Sequence, residues 1–220
     1  MITTLKAVTE SRRFQDYRKA GVLDAVFAST GPARWMEIAR ADSAVNAVED
    51  LYGGVQNYGG LWIAGGWLGG LPYEHSQRKN IVDRFVERGV EEERIIQIDG
   101  KDTVDKVREL IRIEKVIGGG LEYLGISSYP LHIARFNLAL KHAQREGHAN
   151  PLLKIVGIPT DYSSRPNSDR LARPINDAFY GWMGLLKDAR RLDKYGFGGS
   201  IPGQNVEIFE KIKRLNSERD

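Results

Sequence analysis

A chain of 220 residues, 41% of them hydrophobic, can bury one good core with an appendage and is too short for two full domains. Its 32 basic and 29 acidic residues leave a net charge of only +3, spread along the chain rather than gathered into the basic footprint of a nucleic-acid binder. The absence of cysteine excludes disulfides, thiolate nucleophiles and cysteine-ligated metals.

The first twenty residues mix Thr, Lys, Glu, Arg and Asp and hold no signal-peptide core. No apolar run approaches the ~20 residues of a membrane span, so a soluble, cytoplasmic protein is expected. Residues 3–20 read as a charged amphipathic helix with Leu5, Val8, Phe14 and Tyr17 on its inner side. The first strand is expected over 24–30, closed by the turn former Gly31-Pro32. A helix follows over about 42–52, where Ala44, Val48 and Leu51 recur at helical spacing and Gly53-Gly54 ends it. The second strand, 60–66, opens into a glycine-rich loop over 67–72, where glycine permits close approach of a ligand to the backbone.

A helix from about residue 74 or 76 to 88 stops at Gly89. The third strand is 94–98. Asp102 then caps a helix carrying Val104, Val107, Leu110 and Ile111. The fourth strand, 121–126, runs into Ser127-Ser128-Tyr129-Pro130, where a serine can cap a helix and proline suits its first position. That helix extends to about residue 146. The fifth strand, 152–158, is continuously apolar, as a strand buried on both faces of a parallel sheet should be. Beyond Pro159 the alternation stops. A polar loop over 161–170, a helix over about 174–194 that should pack on the sheet, a flexible connection and a final helix with Val206, Phe209, Ile212 and Leu215 complete the chain.

Five strands separated by helices of crossover length predict an α/β fold. Specifically, the expectation is a three-layer Rossmann-like sandwich with a five-stranded parallel sheet in the order 3-2-1-4-5, flanked by helical N- and C-terminal extensions. It is one domain over 1–220, with its core at about 22–160, an N-terminal helix at 3–20 and a C-terminal extension at 161–220. Ligands of such sheets bind beyond the carboxyl ends of the strands where strand order reverses. Here that brings Ser29, Thr30 and Gly31 opposite Ser127 and Ser128, with Gly65 and Gly66 alongside. His132 and Arg135 fall in the first turns of the following helix, whose free N–H groups and partial positive charge suit an anion. His132, expected to be partly charged at neutral pH, is the candidate acid or base, and Arg135 the anion holder. Ser29, Ser127 and Ser128 also end strands as a Ser-His-acid hydrolase would require, but without a GxSxG elbow. Neither GxGxxG nor a phosphate loop is present. No metal-ligand spacing appears among the four histidines.

The ordered set Gly65-Gly66, Gly89-Val90, Thr103, Ser128, His132 and Arg135 resembles the YdcF/SanA/ElyC-like domain of unknown function, over roughly residues 22–160. The chain departs from that pattern in two places. Ser76-Gln77-Arg78 stands where the family has Ser-Glu-Ala, and Asp102-Thr-Val-Asp-Lys106 where it has Asn-Thr-x-Glu-Asn. Glu74 then substitutes for the family's acidic group at the cleft, with Asp102 and Thr103 beside it. The resemblance implies a Rossmann-like cleft. One branch of the family is reported to bind S-adenosylmethionine, and membrane-anchored branches are linked to cell-envelope precursors. With no membrane anchor in view, this chain looks like the soluble branch. The expected function is binding of a phosphate-containing or nucleotide-like small molecule, with S-adenosylmethionine or a nucleotide as candidate cofactor. The alternative is a hydrolase or transferase acting on a phosphorylated envelope precursor or a nucleotide.

Overall fold

The computed structural model describes residues 14–31, 34–66, 72–100, 102–160 and 172–197, without the side chains of 72–77 and 172–181. Short runs of apolar residues become strands with nearly every position buried, because helices cover both faces of a parallel sheet. The strands are β1 (Gln15–Asp16), β2 (Ala25–Ser29), β3 (Leu61–Gly66), β4 (Ile95–Asp99), β5 (Tyr123–Ser128) and β6 (Lys154–Pro159). All pairings are parallel, and the order is β1-β6-β5-β2-β3-β4. Phe27 in β2 stands beside Ile63 in β3 and Ile126 in β5, which fixes the register at the centre.

Six strands correct the five-strand sheet expected from the sequence. The five expected strands are β2 to β6, and the addition is β1, which pairs Gln15 with Val156 and Asp16 with Gly157 at the β6 edge. The same observation corrects the helix expected over 3–20. Asp16 is extended (φ −69°, ψ 143°) and its carboxylate accepts from Arg18 N at 2.9 Å, so residues 14–16 are not helical and a helical turn, α1, occupies Tyr17–Ala20. Gly21, at φ 71°, ends it after four residues.

One face of the sheet is covered by α2 (Arg34–Tyr52) and α3 (Pro72–Glu87), whose Val45, Val48, Ile81 and Phe85 pack with Val26, Trp62 and Ile95. The other is covered by α4 (Thr103–Val116) and α5 (Pro130–Arg145), which enclose Phe27, Ile63, Ile98 and Ile126. α2 begins eight residues earlier than its apolar spacing implied, because its first turns turn Glu37 and Arg40 inward beside Met36 and Ala39. α6 (Ala172–Tyr195) packs on α5 rather than on the sheet, a correction to its expected docking. Contacts of Arg135 with Asp188, His142 with Asp193 and Glu146 with Phe197 N advance in one direction, so α5 and α6 run parallel. No helix among the described residues is long and apolar enough to cross a membrane. Residues 3–13 of the expected N-terminal helix, the loop at 67–71, the polar loop over 161–170 and the final helix lie outside the described residues, as does the Glu74 side chain.

Candidate functional site

The chain leaves β2 toward β3 on one side and β5 toward β6 on the other, so the carboxyl ends of β2 and β5 form the switch point of the sheet. Alternation along β5 divides its two serines between the layers. Ser127 Oγ donates to the carbonyl of Arg40 in α2 at 2.7 Å, whereas Ser128 Oγ lies 2.9 Å from Nδ1 of His132 in α5. Ser128 therefore does not cap the helix, contrary to the sequence expectation. The cap is Tyr129, which makes no side-chain cap bond; its carbonyl accepts from His132 N at 3.0 Å and Ile133 N at 3.1 Å, and Pro130 has no N–H, so the first turn leaves Leu131 N–H open.

Three cations from three helices, two of them buried and Arg135 partly so, act on this region. Arg40, 1% exposed, donates through Nη1 to Ser29 O at 3.0 Å, Ser29 Oγ at 3.0 Å and Thr30 O at 2.6 Å. Lys106, 7% exposed, lies in the first turn of α4. Arg135 in α5 donates through Nε to Asp188 Oδ2 at 2.7 Å. Each is seated against a glycine. A Cβ at Gly31 would come within 3.3 Å of Arg40 Nη1, at Gly100 within 2.7 Å of Lys106 Cγ, and at Gly184 within 2.8 Å of Arg135 Nη1.

Their fields are mutual. Burial first, then the charges of Arg40 and Arg135, push the Lys106 ammonium down to about 8, with only Asp102 opposing. Among the described residues, none of the hydrogen bonds or ion pairs reaches Lys106 Nζ. His132, 8% exposed, is held well below the ordinary imidazole range by burial and then by Arg40, Arg135 and Lys106. It is neutral at pH 7, which corrects the expected partial charge. Tyr129 stacks on its ring at 5.5 Å between centroids, and Phe136 packs at 5.0 Å. Glu37, 0% exposed, accepts from Asn80 Nδ2 at 2.8 Å and Gly31 N at 3.4 Å, and burial pushes its carboxyl up to about 7.

The structure thus brings together Ser29, Thr30, Ser127, Ser128, His132 and Arg135, although Arg135 already pairs with Asp188. Gly31, Gly65 and Gly66 stand at the strand ends, each with a neighbouring side chain in the space a Cβ would take. Gly31 accommodates Met36 and Arg40; Gly65 accommodates the Phe27 ring, which a Cβ would meet at 2.2 Å; Gly66 accommodates Arg78 at 3.0 Å. Asp102 accepts from Asp105 N at 3.0 Å and pairs with Arg191 of α6, while Thr103 is the buried first residue of α4. Sequence reading passed over Arg40 and Glu37, and registered Lys106 only as a departure from a family pattern. Polar residues within helices read as solvated unless their positions coincide with the apolar stripe, which Arg40 does, four residues from both Met36 and Ala44.

Chemically, the arrangement can hold an anion. It does not present a serine hydrolase elbow, since no non-glycine residue among those described has positive φ. Nor does any group of three or more His, Asp or Glu among the described residues approach one metal position. A separate cleft of about 380 Å³ lies between α1, α2 and the carboxyl end of β6 at Ile158 and Pro159. Its carboxylates are engaged, Asp50 by Tyr17 and Arg18 and Glu49 by Arg88. No protein-family model, curated protein or solved structure matches this chain.

Proposed function

We propose that this chain is a cytoplasmic Rossmann-like protein that binds a phosphate-bearing small molecule at the carboxyl ends of β2 and β5. The observation that supports this most is Lys106, an ammonium buried beside two guanidinium groups and given no counter-ion among the described residues. A buried unpaired charge is costly, and a bound anion removes that cost. The N–H of Leu131 in the first turn of α5 and the neutral His132 add donors for phosphate oxygens. Arg40 contributes field rather than a free fork, because its Nη1 is spent on Ser29 and Thr30.

The same charge balance favours an anionic ligand over S-adenosylmethionine, whose sulfonium would enter a positive field. On this reading the chain remains a candidate divergent relative of the YdcF/SanA/ElyC-like domains, with Lys106 in place of their asparagine. Ser128 and His132 also keep open the alternative of a hydrolase or transferase for a phosphorylated precursor, which their 2.9 Å contact favours.

Titration calorimetry with phenyl phosphate tests the binding reading. This probe stays dianionic between pH 7 and 9, its second ionisation lying at about 6. Binding at pH 7 should weaken roughly tenfold at pH 9, as Lys106 loses its proton in the free protein, and should vanish in Lys106→Met. Equal affinity in Lys106→Met and wild type would place the ligand elsewhere.

A further inference from the structure

A neutral imidazole can offer a donor or an acceptor at Nε2, and the group bonded to Nδ1 decides which. At His132 that group is the Ser128 hydroxyl, at 2.9 Å. Ser128 is 0% exposed, so its hydroxyl hydrogen cannot turn to water. His132 Nδ1 is the one acceptor within reach among the described residues. Were Nδ1 protonated, Ser128 Oγ would accept from it and the hydroxyl hydrogen would be left buried and unpaired, a costly arrangement. The favoured arrangement has the serine donating. Nδ1 then carries the lone pair, and the ring proton sits on Nε2.

From this we infer that Ser128 is a positioning residue of the anion site: its hydroxyl fixes the His132 tautomer that offers Nε2–H, and the site thereby selects the dianionic phosphate of a phosphomonoester. The inference rests on the reading of the site as a phosphate seat and adds the ligand class. A dianionic phosphoryl group is acceptor-only, and every group of the seat is then a donor: Nε2–H of His132, the ammonium of Lys106 and the N–H of Leu131 at the start of α5. The charges agree with this. Asp188 neutralises Arg135, whereas no carboxylate is ion-paired with Arg40 or Lys106 among the described residues, leaving two positive charges, opposed only at longer range by Glu37 and Asp102, to meet two negative ones. A phosphodiester brings only one.

Long-range proton–nitrogen spectra of the full chain labelled with 15N-histidine, at pH 7.5, read the tautomer directly, with His132→Gln identifying the His132 signals. Wild type should show the Nε2–H form alone. Ser128→Ala should lose that preference and bind phenyl phosphate five- to tenfold more weakly with its circular dichroism unchanged. His132→Gln, which returns an N–H donor near Nε2, should stay within about threefold of wild type, whereas His132→Ala should lose tenfold or more. Dimethyl phosphate, a monoanion, should bind at least tenfold more weakly than phenyl phosphate.

An Nδ1–H tautomer in wild type, or Ser128→Ala with wild-type tautomer and affinity, overturns the role of Ser128. Equal binding of diester and monoester overturns the ligand class. Failure of wild type to bind phenyl phosphate at all overturns the phosphate seat itself, and the tautomer spectrum of the unliganded protein reads Ser128 independently of that failure.

Discussion

Arg135 Nε donates to Asp188 Oδ2 at 2.7 Å, and that single contact joins the helix at the switch point to the helix packed outside it. The Asp188 side chain is 5% exposed, and burial raises its pKa despite the opposing arginine. Removing one partner of such a pair leaves the other charge uncompensated. Asp188→Ala should therefore cost about 3 kcal/mol in urea unfolding. The double variant Arg135→Met with Asp188→Leu should recover most of that loss. A double variant as unstable as the sum of the singles would show that the two side chains are energetically independent.

Lys106 gives the opposite sign. Its pKa is about 8 in the folded chain against an ordinary value of 10.5. Between those values the unfolded chain binds more protons, so stability rises with pH from about 8 to 10.5, and at neutral pH the charged ammonium is a net cost. Lys106→Met should stabilise the unliganded protein at pH 7 by about 2–3 kcal/mol, and the gain should shrink above pH 8. A variant that gains stability while losing phenyl phosphate binding separates a functional lysine from a structural one. Destabilisation at pH 7 would mean that Lys106 has a partner that offsets its burial.

Glu37 titrates at about 7 when folded, against an ordinary 4.5, because burial outweighs its bonds from Asn80 and Gly31 and the charge of Arg40. A raised carboxyl binds its proton more tightly in the native state. Its contribution is therefore full below about pH 4.5 and is lost as pH rises through 7. Glu37→Gln, neutral at every pH, should close that window. Relative to wild type, the variant should gain about 2–3 kcal/mol in chemical denaturation between pH 5 and pH 8. Parallel pH profiles for the two proteins would show that Glu37 ionises normally.

What was readable from sequence follows from what each element buries. Strands β2 to β6 are short, mainly apolar runs, with Gln97 the one polar residue inside β4, and such runs have few places to go other than the middle of a parallel sheet. β1 is two polar residues, Gln15 and Asp16, whose pairing with β6 depends on tertiary contact and leaves no local signature. In the site, the strand-end serines and the His132 turn were legible because chain order and the switch-point rule locate them. The cations were not. Arg40 and Lys106 are packed against Gly31 and Gly100, a fit between side chain and loop that residue polarity alone does not signal, although Arg40 does fall on the apolar stripe of its helix. Gly65 adds a packing reason that its position at a strand end did not disclose: the ring of Phe27 on the neighbouring strand fills the space of a Cβ.

The edge strand has a temporal consequence. Gln15 and Asp16 precede every other strand in the chain, yet their partners Val156 and Gly157 belong to the last strand of the sheet. During synthesis from the N-terminus, the segment that closes the β6 edge is made first and must wait, unpaired, for the whole core to emerge. β2 to β5 can assemble as soon as α4 and α5 are available, whereas β1 completes the sheet by a contact of high sequence separation, the slowest kind to form. Until then β6 would present an open row of N–H and C=O groups, so the interval before β1 docks is when a nascent chain is most exposed to pairing with another copy of itself.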